Sequence, residues 1–131
     1  MELAIFKQFA KLFFKNQLCQ YQDNFHYINV FGIIEMFYVS GLTEVTDELL
    51  EVLLKGLNND VVLINFCANF YYDFDLDYLG LISKIAKWID CLHHKHIITQ
   101  KILALTEKPI YQTLNNEYQY YIETVFDRLS N

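Results

Sequence analysis

The chain has 131 residues, a net charge of −6, and hydrophobic and aromatic contents of 53% and 17%. That is enough apolar material for one domain with a core of its own, and too much for a disordered segment. A single arginine, Arg128, and an excess of acids exclude the arginine-rich basic face on which nucleic-acid binders rely.

Only four glycines and one proline are present, which favours helices over a many-turned β fold. Cys19, Cys67 and Cys91 are far apart, odd in number and without a Cys-x-x-Cys pair, and no Asn-x-Ser/Thr sequon occurs. The N-terminal "MELAIFKQFAKLFFKNQ" interrupts its apolar residues with regular lysines, unlike a signal peptide. These features point to a reducing, intracellular compartment. The longest uncharged run, Val61 to Tyr72, is far short of the ~20 apolar residues of a membrane span, and the C-terminal "YIETVFDRLSN" is too charged for a tail anchor.

Residues 3 to 17 predict an amphipathic helix. Phe6, Phe9, Ala10 and Phe13 recur at helical spacing, and Lys7, Lys11 and Lys15 form a stripe that reads as a solvated back. After a polar connection, Asp23 or Asn24 caps a helix from 25 to 39 that ends at "SGL" and has Glu35 as its single charge. A helix with so little polar cover is buried or faces a partner. Thr43 or Thr46 opens the next helix, with Val45, Leu49, Val52 and Leu53 on its apolar face and Gly56 as its C′ residue. Asn58 or Asn59 then caps a segment, 61 to 72, that is strand-like in composition but flanked by helix signals; it reads as a central helix buried on all sides. "DFDLD" is a further cap region. Leu81, Ile82, Ile85, Trp88, Ile89 and Leu92 follow at 3–4 spacing, opposite Lys84, Lys87 and Asp90. Two last helices, 97 to 106 and 110 to 129, are separated by Pro109. The sum is an all-α bundle of about seven or eight helices around one of them.

Chemistry is sparsely signalled. "CLHHKH", Cys91 to His96, brings two ligands together on a helix, which does not close a zinc site. "DFDLD" lacks the glycine and distal glutamate of a calcium loop. There is no phosphate loop or nucleophile elbow, so neither cofactor, metal nor catalytic activity is expected.

Two segments resemble the Bcl-2 family of apoptosis regulators. Glu51, Val52, Gly56 and Asn58 in "EVLLKGLNND" match the helix end and turn that lead into that family's buried central helix. "SKIAKWI", Ser83 to Ile89, matches the other half of its central hairpin. The short chain, without a long loop or anchor, is most similar to the trimmed homologues of large DNA viruses. The resemblance implies a Bcl-2-like bundle that binds BH-3 helices of host pro-apoptotic proteins, inhibits mitochondrial cell death, and works in the host cytoplasm close to mitochondria. Asn59, Asp60 and Val61 stand where the family has Trp, Gly and Arg. That arginine pairs with the aspartate of the ligand; Lys55 is its substitute here, and Asp60 repels an acid brought near it. The chain's own BH-3-like segment, with Ile28 and Gly32, has Ile33 in place of the aspartate, so it is not expected to donate a death motif.

An amphipathic ligand helix places i, i+3, i+4 and i+7 side chains in a hydrophobic trough. The expected walls are Phe37 and Val39 on the second helix and Leu49 and Val52 on the third, with Val61 and Ile64 as floor and Asn58, Lys55 and Asp60 at the polar end. Each well-buried anchor contributes roughly 1.5–3 kcal/mol. The alternative is a Bcl-2-type protein without a working groove, acting as a homodimer or as an inhibitor of innate immune signalling. Its support is the lost arginine and the aromatic "YQYYIETVF", with Tyr118, Tyr120, Tyr121, Ile122 and Phe126 able to cover the domain's own groove or a second copy.

Overall fold

From Val61 to Phe70 the chain offers no charge to solvent, and a helix without a polar face is stable only when neighbours enclose it. The computed structural model, which describes residues 3–18, 30–75 and 79–130, places that stretch inside a helix and buries every residue of it. Among the described residues there are eight helices and no strand: α1 (Leu3–Leu18), α2 (Val30–Val39), α3 (Thr43–Gly56), α4 (Asp60–Asp75), α5 (Leu79–Ile89), α6 (Leu92–Thr106), α7 (Pro109–Thr113) and α8 (Asn116–Ser130). The expectation of an all-α chain with a buried central helix therefore holds. Asp23, Asn24 and Ile28, together with the predicted helical residues before Val30, lie outside the described residues, as do the side chains of Leu81 and Ile82.

Four helices pack directly on α4: α2, α3, α6 and α8. α5 reaches it through rings. Phe66 is fully buried and meets Phe31 of α2 edge-on at 5.5 Å, Trp88 of α5 at 6.3 Å, and Phe70 one turn along at 6.2 Å. The aromatic segment of α8 packs inward as well, with Tyr121, Ile122, Val125 and Leu129 buried and α8 lying along α4.

Two asparagines are buried within α4. Asn65 Nδ2 donates to the Val61 carbonyl and Asn69 Nδ2 to that of Asn65, each one turn back. Asn69 Oδ1 also accepts the amide of Phe31 at 3.3 Å, so the central helix holds α2 by a buried hydrogen bond. Asn69→Ala removes that acceptor from a desolvated amide, and we expect a loss of about 1–3 kcal/mol in urea unfolding. An unmoved midpoint would mean that the Phe31 amide is satisfied without Asn69.

At the helix ends the structure follows the sequence reading for the close of α2 at "SGL" and for the asparagine cap of α4, and departs from it at the start of α3, at Gly56 and within 110 to 129. α2 closes in a Schellman turn: the Gly41 amide donates to the Tyr38 carbonyl and the Leu42 amide to that of Phe37, with Gly41 at φ +81°. Leu42 is at the same time the N-cap of α3, so no separate polar cap fits. Thr43 is already helical, and the buried Thr46 hydroxyl donates backward to the Leu42 carbonyl. Gly56 is not a left-handed C′ residue, because the backbone continues right-handed into Leu57. Its glycine serves close approach instead: a Cβ there would lie 3.3 Å from Val62 and 3.5 Å from Leu18. The cap of α4 is Asn59, whose Oδ1 accepts the amides of Val61 and Val62, while Asn58 is left to other work. Finally, the single helix expected over 110 to 129 is divided. Leu114 is extended, and Asn115 Oδ1 accepts the Tyr118 amide to start α8.

Ion pairs join the outer helices. Lys7 and Lys11 of α1 reach Glu44 and Glu48 of α3 at 3.0 and 2.9 Å, and Lys84 of α5 reaches Asp47 of α3 at 2.7 Å. The lysine stripe read as a solvated back is thus partly engaged on its neighbour. No described helix is long and apolar enough to cross a membrane.

Candidate functional site

The polar turn between α3 and α4 opens onto a cleft. Its lining comes from the end of α1 (Lys15, Leu18), the last turns of α3 (Val52, Lys55, Gly56), the turn (Asn58, Asn59) and the first turn of α4 (Val62). The volume is about 550 Å³. That is several times the ~150 Å³ cavity that takes a benzene ring, so more than one large side chain fits. Leu18 and Val62 are buried beneath the cleft and Val52 is half-buried beside them, which gives an apolar floor. Gly56 completes it by its small size, since a Cβ would press on Val62 and fill the space up to Leu18.

The rim is polar and cationic. Lys15 and Lys55 are exposed at the mouth. Behind the turn, α6 and the residues after it hold it down. Lys101 Nζ donates to Asn58 Oδ1, and Lys108 Nζ pairs with the Asp60 carboxylate at 2.9 Å. Asp60 is therefore already neutralised by a lysine and does not line the cleft.

Of the nine residues expected at a groove, the cleft brings together Val52, Lys55 and Asn58. Leu49 and Ile64 are fully buried in the core, and Val61 keeps 7% of its surface. Phe37 is half-buried and packs edge-on against Phe6 of α1 at 6.3 Å. Val39 stands at the end of α2 with 67% of its surface exposed. α2 and α3 pack directly against one another, and the wall opposite α3 comes from α1. Sequence reasoning missed Lys15, Leu18, Gly56, Asn59 and Val62 as site residues. One signal for the first two was present: Lys7, Lys11 and Glu44, Glu48 share one spacing, and that places α1 beside α3.

A second cleft of about 380 Å³ lies between α6 and α8, over Leu92, Leu103 and Phe126. Its lysine, Lys95, is already near Asp90 at 3.8 Å. Elsewhere the strongly perturbed groups are inert. Burial pushes the Cys67 thiol up, and burial followed by hydrogen bonds to Glu117 and Tyr72 does the same for the Tyr121 phenol. Neither ionises near neutral pH. In "CLHHKH", His94 is turned onto Trp88, with Nδ1 at 2.5 Å from the Trp88 carbonyl oxygen and the rings 4.7 Å apart. Among the described residues no three His, Cys, Asp or Glu side chains are grouped to hold a metal.

Comparison with known proteins gives no match, whether to a family model, to a curated protein or to a solved structure.

Proposed function

We propose that this chain is a helix-binding module of Bcl-2 type: a pro-survival factor that takes the BH-3 helix of a pro-apoptotic host protein in the cleft at the start of α4. The observation that carries the reading is the cleft itself, an apolar floor of Leu18, Val52 and Val62 under a lysine rim, placed where a polar turn enters an enclosed helix. The resemblance of "EVLLKGLNND" and "SKIAKWI" adds the family. The site sits between α1 and α3 and not between α2 and α3. Val61 stands where the family has arginine, so ligands that depend on that contact bind weakly and the partner set is narrow. Activity is by sequestration in the host cytoplasm near mitochondria, with no chemical step.

A second reading has an observation of its own. Ile5, Phe9, Leu12 and Phe13 are exposed on one side of α1, which suits a protein that works through a face, as a homodimer or as an inhibitor of innate immune signalling. Calorimetric titration with a panel of BH-3 peptides separates the two, together with sedimentation velocity. The cleft reading expects at least one peptide with Kd of about 1 μM or below. A chain that binds none of them and sediments as a dimer belongs to the second reading.

A further inference from the structure

We propose that the cleft also takes a small molecule, a long-chain fatty acid, with its alkyl chain on the floor of Leu18, Val52 and Val62 and its carboxylate at Lys15. The inference goes beyond the helix reading and does not depend on it. An alkyl chain needs a compact apolar trough with a charge at its mouth, and small-ligand pockets of that make span roughly 300–1,000 Å³. The cleft falls within that range and has that make.

Volume sets the size of the tail. A cavity of about 150 Å³ takes the six carbons of benzene, so about 550 Å³ takes a single chain of up to roughly twenty carbons. A lipid with two long acyl chains is too large.

Charge sets the head. α1 and α3 run side by side in the same direction, because their ion pairs advance together: Lys7 with Glu44, then Lys11 with Glu48, four residues further on each helix. Another step of four brings Lys15 level with Val52, so this lysine stands beside the apolar floor and not beside an acid. Among the described residues no acid lines the cleft. Lys15 and Lys55 also take no part in the ion pairs and hydrogen bonds that engage Lys7, Lys11, Lys84, Lys95, Lys101 and Lys108. An anionic head complements this mouth, and a neutral one does not.

A carboxylate fits better than a phosphate. Helix N-termini hold phosphates through free backbone amides, but Asn59 Oδ1 already accepts the amides of Val61 and Val62 at the start of α4. Two ammonium groups from different helices remain, point charges without a fork for a dianion. A singly charged head asks for no more.

The test is calorimetric titration of the whole chain with tetradecanoate below its micelle concentration, with circular dichroism as the check on folding. One site per chain is expected, and affinity rises about tenfold for each two methylenes from decanoate to tetradecanoate. Lysophosphatidylcholine with the same tail and a zwitterionic head binds about tenfold more weakly, and the corresponding lysophosphatidate binds no better than the fatty acid. Lys15→Gln weakens binding about fivefold, whereas Lys87→Gln, away from the cleft, changes Kd by less than about twofold. Val52→Phe fills the trough from its half-buried edge and abolishes binding in a chain that stays helical. No binding at about 100 μM, or binding indifferent to both Lys15→Gln and Val52→Phe, overturns the inference, as does a preference for the phosphate head. A BH-3 peptide that binds in any of those cases keeps the helix reading. If the fatty acid behaves as expected and no peptide binds, the helix reading falls and the lipid site stands.

Discussion

Phe66→Ala should remove about 3–5 kcal/mol of stability, the range for emptying a buried aromatic site. Against the roughly 5–15 kcal/mol that holds an ordinary domain together, that is about a fifth of the total or more. The size follows from position. Phe66 lies on the enclosed side of α4 and touches rings from α2, its own helix and α5, so its loss loosens contacts among three helices at once. α4 is surrounded, and no solvent-facing neighbour can move in to fill the space. Trp88 is the single tryptophan and lies 6.3 Å from Phe66, so its emission reports the change directly. Urea unfolding followed by Trp88 fluorescence and by circular dichroism should give coincident transitions, both moved to lower urea. A shift worth less than about 1 kcal/mol would show that the ring is not at a shared contact.

Most of the helical order was legible because it depends on local chemistry. Charge vanishes after Asp60 and returns at Asp73, and a soluble helix with that pattern has to be enclosed. Gly41 is the residue able to take the left-handed turn after α2. What stayed hidden depends on approach between distant segments. The cleft wall from Lys15 and Leu18 exists because α1 lies along α3, and nothing within either helix states that. The complementary spacing of lysines and glutamates implies it only when the two helices are read together. Gly56 was read as a backbone device because glycine at a helix end commonly is, yet its reason is a side chain six residues further on. The break at Leu114 had a local precedent: "LNN" occurs both at the α3–α4 turn and at Leu114 to Asn116, and each copy supplies the asparagine cap of the helix that follows. Leu49 and Ile64 show the opposite limit. Apolar residues at helical spacing suit a groove and a core equally, and packing alone sends these two inward.

That limit decides which glutamate tests the cleft. Ile64→Glu places a carboxyl at a fully buried core position one turn into α4; burying an uncompensated charge costs several kcal/mol, and the variant should be largely unfolded by circular dichroism. Val52→Glu is a different experiment although the exchange is just as polar. Val52 is half-buried at the edge of the cleft, level with Lys15 and one turn from Glu48. A glutamate there continues the ladder of Glu44 and Glu48 and meets Lys15 as they meet Lys7 and Lys11. The variant should keep its helix content and melt within a few degrees of the parent chain, because an exposed ion pair of this kind contributes about 0–1 kcal/mol. Its affinity for a BH-3-type peptide should fall by about a hundredfold. The apolar floor is interrupted, and the cation at its rim is occupied from within. Adding Lys15→Gln then lowers the melting temperature of Val52→Glu further than it lowers that of the parent, which measures the new pair apart from any effect on binding. Full peptide affinity in a folded Val52→Glu would place the ligand somewhere other than this cleft, and a folded Ile64→Glu would mean that α4 is not enclosed.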